Sequence, residues 1–237
     1  MVTTARAMAP SFLALAGLAL LLTGCADPTD GKPDAKVADP VEIPAEPTAA
    51  TAPAEGAIVD QFSQPSEGSR PKTAGDAYAL TPNTTIGFIG SKVTGSHAGG
   101  FRTFDGSVTI PGADLDKATI TANIDATSLF VDNNKLAGHL KSADFFDVAK
   151  FPKAAFTSTS IAKTAAGFDI TGNFELHGVT KSITFPATMA LADGTLAANA
   201  EFSIKRFDFG IVYPGKADDL IRDEVLIKLN VEAKKAV

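Results

Sequence analysis

His97, His139 and His177 are the only histidines in 237 residues, and Cys25 is the only cysteine. Three imidazoles suffice for a zinc centre, yet no two of these stand at the close spacing that presents two ligands from one element. A lone cysteine builds neither a disulfide nor a Cys-based zinc site within one chain. His97 lies in Gly95-Ser96-His97-Ala98-Gly99-Gly100, which lacks the Lys and following helix of a phosphate cradle and is expected to be a flexible hairpin loop. His139 falls at the end of a short predicted helix, Val131 to Leu140, where it can interact with the last carbonyls. His177 precedes Gly178 and is expected to make a turn hydrogen bond. Asp144 and Asp147 flank Phe145-Phe146; with His139 or His177 they offer an acid/base reading. The paired rings, followed by Phe151-Pro152, instead predict an aromatic plug at one end of the fold, with the carboxylates capping turns. Lys205-Arg206 and Arg222-Asp223-Glu224 read as strand-end charges, Arg206 being the candidate for meeting a lipid head group. No nucleophile motif, dinucleotide fingerprint or carboxylate pair facing a cleft is present, so no catalytic or metal residue is assigned.

The elements that must position these residues are strands. Ile120, Ala122 and Ile124 alternate with Thr119, Thr121 and Asn123, the pattern of a half-buried strand. The alternation recurs in Phe168 to Leu176, Ile183 to Leu191, Leu196 to Ile204 and Val225 to Val231. Further strands are expected near 77–81, 84–93, 101–110 and 154–162, with tight turns at Ala166-Gly167 and Asp193-Gly194. Sequential antiparallel strands joined by hairpins suit a meander, and closing it removes the exposed edges. Small and large apolar residues mix on the inward faces, a pattern that fits either a hollow barrel or a filled one.

Before this domain the chain changes character. Arg6 is the one charge in the first 24 residues, and the apolar run from Phe12 to Leu22 is short for a membrane span. The run leads into Leu22-Thr23-Gly24-Cys25, which resembles a bacterial lipobox. Residues 1–24 are therefore expected to be a lipoprotein signal peptide and Cys25 an acylated membrane anchor. Ala26 in place of Asp suggests the outer membrane. From Ala26 to Gly75 stand eight of the fourteen prolines and nine acidic against four basic residues, without apolar periodicity. Residues 25–75 are accordingly expected to be a disordered tether, within which Ile58, Val59 and Phe62 form an isolated apolar cluster.

Overall, 45% hydrophobic and 20% charged residues describe a globular chain. A formal net charge of −6 with no basic cluster argues against nucleic acid as a partner. Two tyrosines and no tryptophan poorly supply the aromatic girdles of a membrane-inserted barrel.

Three stretches then resemble the YceI-like polyisoprenoid-binding family. They are Gly138-His139-Leu140-Lys141-Ser142-Ala143-Asp144-Phe145-Phe146-Asp147 with Phe151-Pro152, Gly172-Asn173-Phe174-Glu175-Leu176-His177-Gly178-Val179-Thr180-Lys181, and Phe202-Ser203-Ile204-Lys205-Arg206-Phe207-Asp208-Phe209-Gly210. Phe101-Arg102-Thr103-Phe104-Asp105-Gly106 is a weaker fourth. The chain departs from the family at Leu136-Ala137, where many members carry Arg-Asp. The resemblance implies that residues 76–237 form an all-β, eight-stranded antiparallel lipocalin-like barrel with a short helix and an apolar pore. That pore would hold an isoprenoid, an isoprenoid quinone or a similar lipid, with no other cofactor. A homodimer is compatible with it. Strand faces assign the pore lining to Phe104, Val108, Ile120, Ile124, Phe174, Phe185, Met189, Phe202 and Ile227. The expected role is non-enzymatic binding, storage or transport on the periplasmic side of the envelope. The alternatives are an enzyme acting on a lipid through His139 or His177 with Asp144, and an interaction module with a filled barrel.

Overall fold

The computed structural model describes residues 27–43 and 75–236. Thirteen strand segments and one α-helix follow in chain order. They are β1 (Lys36–Ala38), β2 (Asp76–Leu80), β3 (Thr85–Lys92), β4 (Gly95–Phe101), β5 (Phe104–Ile110), β6 (Thr119–Asp125), β7 (Leu129–Val131), α1 (Asn134–Lys141), β8 (Lys153–Thr164), β9 (Gly167–Leu176), β10 (Val179–Ala192), β11 (Thr195–Lys205), β12 (Gly215–Lys216) and β13 (Asp219–Lys235). The pairs β2/β3, β4/β5 and β6/β7 are each one stave of the barrel with an interruption. Eight antiparallel staves result, each pairing with its neighbours in sequence, and β13 closes the ring against β2 and β3 on one edge and β11 on the other. The expected meander is the observed one.

Successive staves alternate direction, which gives the barrel two unlike ends. At the helix end lie the β3–β4 turn, α1 with residues 142–152, the His177-Gly178 turn and the long connection from Arg206 to Asp218. At the opposite end lie residues 111–118 and the tight β8–β9 and β10–β11 turns. His177 and Asp193 take positive φ values of 54° and 50° and are each followed by a positive-φ glycine, the backbone of a two-residue hairpin whose twist matches its strands. Helix α1 starts three residues later than expected. Asn133 caps it by accepting from the N–H groups of Lys135 and Leu136 at 3.0 and 3.1 Å.

Two sequence expectations give way here. The glycine-rich stretch around His97 is strand β4, not a flexible loop. A Cβ on Gly99 would stand 2.5 Å from the Phe130 carbonyl oxygen and 2.7 Å from the Phe88 ring. The glycines thus serve close strand approach, and glycine content alone does not separate that from a loop.

Nor is the whole of 25–75 a disordered tether. Below Thr188 and Asn199, β10 and β11 part, and residues 33–38 fill the opening. Strand β1 pairs antiparallel with β10, Lys36 opposite Thr184 and Ala38 opposite Ser182. On its other side the Ala35 N–H donates to the Ser203 carbonyl at 2.8 Å, and the Ser203 N–H to the Pro33 carbonyl at 2.9 Å. Strand addition of this kind satisfies the backbone groups of a barrel edge and needs little side-chain hydrophobicity. Ala35 and Val37 alone turn toward the core. Residues 1–26 and 44–74, including Cys25 and the Ile58-Val59-Phe62 cluster, lie outside the described residues.

Candidate functional site

The interior alternation produces two layers of different character. Near the end opposite the helix, Tyr78, Ile110, Leu196 and Ala233 are almost wholly inaccessible and close the barrel as a packed floor. Above them the barrel is hollow. A cavity of about 490 Å³ runs from this floor toward the helix end, within the range of small-molecule sites.

Its walls are overwhelmingly apolar. Phe185 and Phe202 stack at 4.3 Å between ring centroids, and Phe156 tilts against Phe185 at 5.8 Å. Ile120, Phe174, Met189 and Ile227 point inward yet remain only half-buried, because they border open volume. Eight of the nine side chains assigned from strand faces line this cavity: Val108, Ile120, Ile124, Phe174, Phe185, Met189, Phe202 and Ile227. Phe104 does not. It packs within the core outside the cavity lining. It shares the inward face of β5 with Val108, opposite Ile124, and stands at the end of that strand beside the break in the stave, where the Ser128 hydroxyl accepts from the N–H groups of Arg102 and Thr103 at 3.1 and 3.0 Å.

Toward the helix end the lining turns polar, with Ser91, Lys92, His97, Arg206 and Arg222. Arg206 is no strand-end surface charge: it is 4% exposed. Its guanidinium donates to the carbonyls of Ile211 at 2.6 Å, Arg222 at 2.9 Å and Ile221 at 3.2 Å. These acceptors are neutral, so burial draws its pKa below the usual guanidinium value, and nearby Asp223 acts in the other direction. Three carbonyls leave part of its five-donor fork uncommitted. The Ser91 hydroxyl, 6% exposed, has no hydrogen-bond partner among the described residues. Buried hydroxyls are costly to leave unpaired, so both groups favour a polar ligand atom at this level. Arg206 was the sequence's candidate for a lipid head group, whereas Ser91 was not legible beforehand, since a Ser in a strand carries no distinctive spacing.

The aromatic plug is present as expected, with a modification. Phe145 is buried, whereas Phe146 joins Phe88 and Phe101 in a cluster with centroids 6.0–6.3 Å apart, and both Phe145 and Phe146 border the cavity. The histidines do not converge. His97 donates from Nδ1 to Asp132 at 2.8 Å, His139 from Nε2 to Asp144 at 2.9 Å, and His177 from Nδ1 to the Phe209 carbonyl at 3.2 Å. His139 also packs edge-on against Phe145 and Tyr213, which braces the plug. Among the described residues no three His, Cys, Asp or Glu side chains gather as a metal cluster.

Comparison with known proteins agrees with this architecture. The profile of the YceI-like domain matches residues 78–233. A UPF0312 protein of Pseudomonas putida is 33% identical over 137 residues, 55% of this chain and 71% of that protein. Protein YceI of Salmonella arizonae is 42% identical over 123 residues, 48% of this chain and 62% of that protein. Among solved structures, a polyisoprenoid binding domain from Saccharophagus degradans superposes with a TM-score of 0.56 at 19% identity, covering 68% of this chain and 99% of that one. BcnA of Burkholderia cenocepacia gives 0.55 at 23%, covering 64% and 96%.

Proposed function

The chain belongs to the YceI-like domain family, and from that premise we propose that it is a carrier or store for a polyisoprenoid or isoprenoid quinone, held on the periplasmic side of a bacterial outer membrane through acylated Cys25. The observation that carries the reading is the hollow barrel above a sealed floor. A five-carbon prenyl unit moved from water into such a tube gains roughly 3–4 kcal/mol gross, so a few units offset the ~4–15 kcal/mol cost of association. The tail packs among Ile120, Phe156, Phe174, Phe185 and Phe202, and the polar end meets Ser91 and Arg206 near the mouth. Binding is by burial, without bond making. Apolar ligand binding is what the Saccharophagus degradans domain is described as doing, which supports the same use here.

Transfer of a polyprenol or prenyl quinone from vesicles to the protein tests this reading. One ligand per barrel is expected. The variants His139→Ala and Asp144→Ala are expected to keep that uptake, because neither side chain lines the cavity; a lipid that the parent chain alters chemically and these variants leave unchanged would instead favour the enzymatic alternative.

A further inference from the structure

The segment before the barrel and the mouth of the cavity meet at one place. Asp27 accepts from the Thr29 N–H at 3.0 Å and hydroxyl at 2.7 Å through one carboxylate oxygen, and from Arg222 at 2.6 Å through the other. Asp27 and Pro28 border a small depression shared with Ser91, Lys92, Gly95, Ser96 and Arg222, beside the polar rim of the cavity. From there the chain runs along the wall, with Lys32 paired to Glu201 at 2.6 Å, β1 inserted between β10 and β11, and Asn173 bonded to the Val41 N–H and carbonyl at 2.9 and 2.7 Å.

Cys25 precedes Asp27 by two residues. Two trans peptide steps of 3.8 Å hold its Cα within about 7.6 Å of that of Asp27. An anchor on Cys25 is therefore tied to the cavity mouth, and the expectation of a 50-residue tether between anchor and barrel is replaced by a strap built into the barrel wall.

The same end carries unexplained apolar exposure. Val93, Phe207, Val212 and Leu220 are 60%, 47%, 62% and 50% exposed. They belong to the β3–β4 turn, the connection leading into β13 and the start of β13 itself, and the Val93 N–H donates to the Leu220 carbonyl at 3.2 Å. The opposite end presents Asp114, Asp116, Lys117 and Asp193 in its turns, and none of the exposed large apolar side chains of the described residues lies there.

We propose that the helix end of the barrel lies against the bilayer, with Val93, Phe207, Val212 and Leu220 seated at its interface, so that the cavity opens directly onto lipid. This rests on the reading of Cys25 as acylated. A bilayer is the occupant these observations select, because the anchor emerges beside the patch with almost no slack. Ligand then passes between membrane and barrel without crossing water, and the strap sets the orientation.

The test uses the full chain recovered from bacterial membranes and reconstituted in phosphatidylethanolamine and phosphatidylglycerol vesicles that carry a nitroxide lipid. Fluorescent labels go on Val93→Cys, Val212→Cys, Ala165→Cys and Asp193→Cys, and the mass of the amino-terminal peptide reports acylation separately. Quenching at 93 and 212 without quenching at 165 and 193 is expected. In unlabelled protein, slowed hydrogen exchange in the β3–β4 turn upon vesicle addition should accompany it. An acylated chain whose four labels are quenched alike, or not at all, overturns the proposed orientation and leaves the lipoprotein reading standing. A chain without acyl mass that stays off the vesicles overturns both.

Discussion

The floor and the mouth of the barrel are built from the same eight staves, yet they spend their apolar residues differently. At the floor Ile110 and Ala233 are wholly inaccessible and Tyr78 and Leu196 nearly so. At the mouth, Phe146, Ile221 and Val225 are only half-buried, and Val93, Val212 and Leu220 face outward. The floor maximises contact and so holds the fold together. The mouth forgoes contact and leaves an apolar surface for another molecule to cover. Tight packing and open apolar surface thus occupy opposite ends of one sheet.

The largest expected effect sharpens this contrast. Ile110→Ala removes fully packed atoms from the floor and should cost about 2–5 kcal/mol in denaturant unfolding. Met189→Ala removes atoms that border open volume and should cost less than about 1.5 kcal/mol, because fewer dispersion contacts are lost. Equal costs would mean the cavity is not hollow in solution.

Next in size, Ala198→Phe projects a ring into the cavity beside Met189, its partner across the β10–β11 pair. Uptake of a prenyl quinone should fall at least about tenfold, equivalent to ~1.4 kcal/mol, while the unfolding midpoint stays near that of the parent. Unchanged uptake would place the ligand elsewhere.

A smaller effect concerns the strap. Ala35→Pro removes the donor to the Ser203 carbonyl, a loss of about 1 kcal/mol. Hydrogen exchange should quicken across residues 33–41 and in the neighbouring edge of β11, with the β8–β9 amides unchanged. Uniform loss of protection would instead make the strap integral to the global fold.

The smallest effect is one of pH. The Thr29 N–H and hydroxyl, with Arg222 adding to them, hold the Asp27 carboxyl below its usual range. A depressed folded pKa contributes stability that is fully present above the unfolded value near 3.9 and is lost as pH falls through the folded value. Protection of the Thr29 amide, taken relative to its intrinsic exchange rate at each pH, should therefore fall only below about pH 4, and the Asp27→Asn variant should lose that dependence.

How far the sequence disclosed this depended on the signal each region carries. Period-2 alternation is strong where one face meets an apolar interior, so Ile120-Ala122-Ile124 and Phe168 to Leu176 were legible together with their inward faces. It gives the face of Phe104 as well, the same as that of Val108, but periodicity does not tell how far along a strand the cavity reaches. Gly95 to Gly100 read as a loop because glycine serves both flexibility and close approach, and only the Phe88 and Phe130 neighbours separate the two. Strand β1 escaped notice because its pairing is mostly backbone; Ala35 and Val37, flanked by Pro33 and Pro40, were the one faint alternation. Arg206 read as a surface charge because its partners are carbonyls, which leave no mark in a sequence.

Whether the barrel holds an apolar lipid in its cavity is read by native against denaturing mass spectrometry of the chain recovered from a bacterial envelope, followed by organic extraction. One apolar passenger per barrel is expected, lost on denaturation and recovered in the solvent as a prenyl lipid. A protein that emerges empty and also refuses added polyprenols and prenyl quinones would contradict it.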